Sequence, residues 1–382
     1  MKKIIVIPDS FKGTLSSARI CEIVSDRIRA HFPKCEVTTL PVADGGEGTM
    51  DSFLAAVGGA RVPATVQGPF SQPMESAYAV LPDGTAVVES AVCAGLPLVG
   101  DQRDPLRTTT YGVGELIAAA IRNGCKKIIV GLGGSATNDC GAGAAAALGT
   151  VFRKSDGSSF VPTGGTLSQI ASIEKGTLPE DVEIIAMCDI DNPLLGERGA
   201  SYVFAPQKGA SPRQCEMLEQ GMRNYNEVLS RTLEKDVSNI PGAGAAGGLA
   251  AGLMTLLGAS LSSGIRTVLS LSHFEEIVKD ADYCITGEGR ADSQSAHGKV
   301  LWGVGQACSK YSIPVLAVTG CLGDGYEELF GCGIQRIYPS IEDGMTVEYA
   351  MAHAKEQLRK ATEKMFRDLS IPAPVETQQR PE

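Results

Sequence analysis

The sequence predicts an α/β protein, an open and doubly wound parallel sheet into which a second domain of mixed-sheet character is inserted. Three observations carry this reading. The chain opens with β–α–β–α alternation, residues 61–92 switch to the pattern of an antiparallel meander, and the alternating rhythm returns near Asp282. The changes of style near residues 62 and 275 place a discontinuous first domain at 1–62 plus 275–370 and the insert at 63–274. The polar, proline-bearing tail at 371–382 is expected to be disordered.

Taken in order, Lys3–Ile7 is a short apolar run of buried-strand type, followed by a Pro-Asp-Ser turn and a helix carrying Ile20, Ile23, Val24 and Ile28. Glu36–Pro41 is a second strand, and Thr49–Val57 a second helix behind a glycine-rich turn. Arg61–Gln67, Ser76–Leu81 and Ala86–Glu89 form the meander, with Pro82-Asp83-Gly84 as one of its turns. A helix over Gly112–Asn123 leads to the strand Lys127–Gly131, a glycine-rich loop and the alanine-rich helix Ala142–Leu148. A polar, hairpin-like region near 151–175 precedes the strand Val182–Cys188 and a long helix over Pro212–Leu233. The closing rhythm is Tyr283–Thr286, a helix around Val300–Lys310, then Pro314–Thr319 and Gln335–Tyr338. In the last helix Val347, Met351, Ala354, Leu358, Ala361 and Met365 form one stripe, expected to pack on the sheet rather than in a coiled coil.

Composition narrows the function. The 34 basic and 44 acidic residues give a net charge of −10, which argues against a groove for nucleic acid, since phosphate neutralisation needs clustered Lys and Arg. Eleven cysteines lie at least 11 residues apart with no C-x-x-C, so reduced thiols and a cytoplasmic setting are expected, not a structural zinc. The apolar run after Met1 ends too soon for a signal peptide. Residues 237–265 carry no charge, but their glycines and serines favour a buried helix over a membrane span.

A doubly wound sheet binds ligands beyond the carboxyl ends of its strands. Five strand ends here carry acids, most with glycine: Pro8–Gly13, Ala43–Thr49, Gly131–Asp139, Cys188–Pro193 and Gly287–Gln294. One such end is a turn with a helix cap; five together point to a site. Gly131–Asp139 is the phosphate candidate, because its glycines let N–H groups converge and Ser135 and Thr137 add hydroxyls ahead of a helix. Asp189 and Asp191, two apart, can present both carboxylates to one side and hold a cation such as Mg²⁺; ordinary turn acids are the competing reading. Among the cations near these loops (Lys12, Arg103, Arg107, Lys208, Arg290 and Lys299), Lys12, Lys208 and Arg290 stand among glycines and acids. Of the four histidines only His297 has a loop setting suited to general catalysis, so an aspartate is the better proton acceptor. No Walker A motif occurs, and the G-x-G-x-x-G at Gly242–Gly247 lacks both a preceding strand and a following acid. An alternative reading from the residues, a nicotinamide-dependent dehydrogenase of small hydroxy acids, is weakened by that poor fingerprint. A regulator sensing a small acid is weakened by the acidic balance.

The blocks PDSFKG (Pro8–Gly13), ADGGEGT (Ala43–Thr49), RDPLRTTTYG (Arg103–Gly112), GLGGSATND (Gly131–Asp139) and CDIDNP (Cys188–Pro193) together resemble the type I glycerate kinase family. PQKGA (Pro206–Ala210), PGAGAAGGL (Pro241–Leu249) and TGEGRADSQ (Thr286–Gln294) extend the resemblance over about residues 3–370. One departure is Cys140, which stands before Gly141 where the family usually has a first glycine. If that position needs positive φ the loop is slightly altered, with function retained by a small side chain. The resemblance implies two α/β domains, one flavodoxin-like, joined across a cleft. It also implies ATP- and Mg²⁺-dependent phosphorylation of D-glycerate, most simply to 2-phosphoglycerate. The partners are then small molecules, without nucleic acid or membrane, and the chain a monomer or homodimer. Phosphoryl transfer needs charge neutralisation and positioning above all. On that basis Asp189 or Asp191 is expected to hold Mg²⁺, Lys12 and Lys208 to neutralise phosphate, and Arg290 to grip the substrate carboxylate. Asp44 or Asp292 is expected to accept the hydroxyl proton. Gly133, Gly134, Ser135, Thr137, Asn138 and Glu288 make up the expected nucleotide site, the Gly133–Thr137 loop cradling either phosphates or the substrate carboxylate.

Overall fold

The computed structural model describes residues 1–42, 45–341 and 344–370. The expected tail at 371–382 and Asp44 lie outside the described residues. In chain order the strands are β1 (Lys3–Pro8), β2 (Glu36–Thr39), β3 (Ala60–Gln67), β4 (Pro73–Val80), β5 (Ala86–Glu89), β6 (Lys127–Gly131), β7 (Val151–Arg153), β8 (Ser159–Phe160), β9 (Ser172–Glu174), β10 (Glu183–Met187), β11 (Ser260–Ser262), β12 (Tyr283–Ala291), β13 (Val315–Leu322) and β14 (Ile334–Pro339). They divide between two compact units, Met1–Val42 with His273–Glu382, and Ala43–Ser272.

The first unit holds a five-stranded sheet in the order β14-β13-β12-β1-β2, every pair parallel. Ile4 to Ile7 are all fully buried, which a strand covered on both faces requires. Ile4 and Val6 pack with Ile20, Ile23, Val24 and Ile28 of the helix Ser17–His31 and with Leu358, Met365 and Phe366 of Ala354–Ser370. Ser16 starts the first of these helices by accepting from the Arg19 N–H. The stripe expected from Val347 is interrupted. His353 (φ −112°, ψ 21°) ends the helix Val347–Ala352, leaving Val347 and Met351 exposed, and the stripe becomes buried from Leu358 in the following helix.

β12 and β13 run further than the periodicity predicts. Glu288, Arg290 and Ala291 pair with Thr319, Cys321 and Leu322, so the segment read as a loop after Thr286 is strand. Glycine is the reason both for the misreading and for the pairing. A Cβ on Gly287 would lie 2.3 Å from the Val318 carbonyl, and one on Gly320 2.3 Å from the Gly289 carbonyl.

The second unit contains a six-stranded sheet, β11-β10-β6-β5-β4-β3, parallel from β11 to β5 and antiparallel from β5 to β3. The meander is thus an edge of a parallel sheet. A separate antiparallel sheet, β8-β7-β9, accounts for the polar region near 151–175. The units divide at residue 42, not at 62. The helix Thr49–Val57 packs on β5 and buries Met50 and Phe53, so residues 45–62 group with the strands that follow them. The charge-free stretch is divided among the helix Ala245–Leu256, strand β11 and the start of the helix Gly264–Leu271, and among the described residues no helix is long and apolar enough to cross a membrane. All eleven cysteines are free thiols.

Candidate active site

In the second unit the loop after β6 is built by backbone lying on backbone. Gly133 donates its N–H to the Gly45 carbonyl at 2.7 Å, and a Cβ there would sit 2.4 Å from the Gly46 Cα. On the other side Cys140 N–H donates to the Gly247 carbonyl, and a Cβ on Gly247 would lie 1.9 Å from the Thr137 carbonyl. The G-x-G-x-x-G segment therefore wedges the loop from behind and forms no dinucleotide turn: Ala246, Gly247 and Gly248 are all left-handed. Cys140 itself has φ +55°, so the position where the family favours glycine does use the left-handed region.

Asp139 ties this loop down. It is fully buried and accepts from Thr110 N–H (2.7 Å), Thr110 Oγ1 (2.8 Å), Gly141 N–H (3.1 Å) and Gly143 N–H (3.3 Å). Burial raises its carboxyl above the usual range, and those same donors oppose the shift. Lys208, 2% exposed, ends a short 3₁₀ turn (Pro206–Lys208) and points at the loop. Its Nζ donates to Ser135 Oγ at 3.0 Å and to the Thr137 carbonyl at 2.6 Å. Burial lowers Lys208 to about 7, with the Asp139 charge pulling the other way. Beside them the Thr137 hydroxyl and both amide atoms of Asn138 are buried with no hydrogen-bond partner among the described residues. Buried polar groups in that state call for a water or a ligand.

The sequence reading singled out Ser135, Thr137, Asn138 and Lys208, and the fold brings them together. It passed over Asp139 as a role and Glu89 altogether. Glu89, at the end of β5, is buried and accepts from Gly48 and Met50 N–H at 3.1 Å each, holding the helix Thr49–Val57 by its N-terminus. The signal was present in one more acid at a strand end. Asp189 and Asp191 have different hydrogen-bond partners. β10 stops at Met187, so the alternation argument does not extend to them. Asp189 accepts from Gly264 N–H at 2.8 Å, whereas both oxygens of Asp191 face exposed Arg198 at 3.1 and 3.0 Å. No cluster of three acidic, histidine or cysteine ligands occurs among the described residues.

In the first unit, Glu288, Arg290 and Asp292 follow one another at the carboxyl end of β12. Arg290 Nε lies 3.3 Å from Asp292 Oδ2, and Asp292 also caps the turn Ser293–Ala296 by accepting from Gln294 N–H. Glu288 is buried, which pushes its carboxyl up to about 7, against Ser295 and Lys299. Lys12 is exposed on the turn after β1, closed by the Phe11–Leu15 bridge. His297 Nδ1 is engaged with the Ser293 carbonyl at 2.7 Å.

A sequence model described as the glycerate kinase family matches residues 4–370. The glycerate kinase of Bacillus subtilis (strain 168) is 42% identical over 363 residues, 94% of this chain and 95% of that one. The glycerate 2-kinase of Escherichia coli (strain K12) is 40% identical over 374 residues, covering 97% and 98%. A crystal structure from Salmonella typhimurium LT2, provisionally named glycerate kinase 2, superposes with a TM-score of 0.83 at 39% identity over 96% of this chain and 98% of that one. A phosphotransferase by that membership, the chain belongs to the glycerate kinase family.

Proposed function

We propose that the protein transfers the γ-phosphate of ATP to a hydroxyl of D-glycerate, giving 2-phosphoglycerate. The relatives bearing the name glycerate kinase support the substrate pair, and the name of the Escherichia coli relative supports the 2-position. The observation that carries the reading in this chain is the Lys208 ammonium buried against Ser135 and Thr137 in a glycine-built loop. Such a loop presents N–H donors and one cation to an anion without having to rearrange.

In this reading Gly134, Ser135, Thr137 and Asn138 receive phosphate oxygens and Lys208 neutralises them, while Gly133, whose N–H is given to the Gly45 carbonyl, shapes the loop. Lys12 supplies a second cation and Arg290 holds the substrate carboxylate. Asp189 would hold a Mg²⁺ ion bound to the nucleotide, since a single carboxylate suits an ion already on phosphate, and that ion would supply charge withdrawal from the phosphates. The first unit is read as flavodoxin-like, its strands in their own sequence order running 2-1-3-4-5.

The test is direct. Protein, ATP, Mg²⁺ and D-glycerate are incubated and the products resolved by ³¹P NMR. ADP with the 2-phospho isomer is the expected outcome. The 3-phospho isomer removes the regiochemistry, and no phosphoglycerate removes the reading.

A further inference from the structure

The ends of three neighbouring strands of the first unit converge on Glu288. Its Cα is in register with Thr319 on β13, and the preceding Gly287 is in register with Pro8 of β1, whose next residue, Asp9, donates its N–H to the Gly287 carbonyl at 2.8 Å. Glu288 is 5% exposed, and its Oε1 is buried without a hydrogen-bond partner among the described residues. The hydroxyl of Thr319, one strand over, is in the same condition. Leaving such groups unmatched is costly, so two on adjacent strands mark a place built for a further polar group. The charged groups facing Glu288 are Lys299 at the head of the helix Val300–Ser309, Asp9 after β1, and Asp292, with Ser295 as a neutral donor. The Lys12 turn also approaches: a Cβ on Gly289 would meet the Phe11 Cα at 3.4 Å and the Lys12 N at 3.6 Å. Asp292, by contrast, already caps Gln294 and faces Arg290.

We propose that Glu288, rather than Asp292, accepts the proton of the attacking hydroxyl, with Thr319 Oγ1 orienting that hydroxyl; this rests on the phosphotransfer reading above. The substrate O–H bond breaks and its proton passes to the Glu288 carboxylate as the oxygen bonds to the γ-phosphorus. The bond from the γ-phosphorus to the bridging oxygen breaks, and ADP leaves with that electron pair. Glu288 then returns its proton to solvent. A carboxyl held near neutral by burial suits a group that must gain and lose a proton in each turnover.

The experiment compares wild type, Glu288→Gln and Glu288→Asp in kcat and KM for ATP and D-glycerate between about pH 5.5 and 9. Loss of the acceptor is expected to lower kcat roughly 10²–10⁴-fold, with both KM values within about threefold, and to abolish the acid limb near pH 7. Glu288→Asp is expected to keep that limb. In the wild type, the ¹³C signal of the Glu288 carboxyl is expected to titrate near pH 7 and to move on adding D-glycerate, a readout that does not depend on the Gln variant folding. A Gln variant with kcat within about threefold of wild type or an intact acid limb overturns the proposal. So does one that changes only the Mg²⁺ requirement, or a carboxyl titrating below about pH 5. Wild type that phosphorylates no D-glycerate ends the phosphotransfer reading itself, whereas active wild type beside an unimpaired Gln variant ends only this inference.

Discussion

Replacing Lys208 by Met tests the buried cation in two independent ways. Burial lowers the amine from its ordinary 10.5 to about 7 in the folded protein. The unfolded chain therefore holds a proton that the folded chain lacks between about pH 7 and 10.5, and stability rises with pH across that window. Each pKa unit is worth about 1.4 kcal/mol, so over three units or so wild type should gain on the Met variant by roughly 4 kcal/mol. Lys208 is 2% exposed, so solvent screening removes little of this. Urea denaturation of both proteins at several pH values between about 7 and 10, followed by circular dichroism, gives the difference directly. Curves that stay parallel to within about 0.5 kcal/mol refute the assigned environment of the amine. In turnover, losing this donor to the phosphates should lower kcat roughly 10²–10³-fold. A Met variant with normal kcat leaves Lys208 as a structural residue only.

Three further outcomes follow from the same geometry. At Cys140, φ +55° strains any side chain, so Cys140→Ala should be less stable than Cys140→Gly by about 1 kcal/mol in thermal or urea melts, the reverse of ordinary core behaviour. Gly133→Ala places a Cβ 2.4 Å from the Gly46 Cα, where backbone meets backbone; a loss of about 1–3 kcal/mol is expected, with weaker nucleotide binding by calorimetry. Asp191→Asn should leave the Mg²⁺ dependence of turnover unchanged, since Arg198 holds that carboxylate, whereas Asp189→Asn should raise the Mg²⁺ concentration needed by about tenfold.

Much of this architecture was legible because its strands are short apolar runs and its helices amphipathic. Strand Lys127–Gly131 has its expected bounds, and the helices Thr49–Val57 and Pro212–Leu233 their approximate ones. The misreadings share a cause. Gly287, Gly289 and Gly320 look like loop punctuation but serve close strand approach, so β12 and β13 were cut short and Glu288 was assigned to a loop. The switch between units was placed at 62 because helix Thr49–Val57 continues the opening rhythm; only its packing on β5 shows where it belongs. In the candidate site, residue type was enough to single out Ser135, Thr137 and Lys208, because hydroxyls and a lysine among glycines are unusual. It was not enough for Asp139 or Glu89, whose task is to receive backbone N–H groups from segments remote in sequence.

That distinction explains how the loop is prepared for an anion. Gly45, Gly133 and Gly247 allow backbone segments to touch, and the contacts fix where the N–H groups point before any ligand arrives. Asp139 is saturated by donors from Thr110, Gly141 and Gly143, so its charge is largely satisfied locally. Lys208 is the opposite case: its two partners, a hydroxyl and a carbonyl, carry no net charge, and burial pushes its proton off near neutral pH. In the function proposed above, a phosphate beside it would supply the missing negative charge and draw the proton back, so that binding of the anion and protonation of Lys208 would be one coupled event.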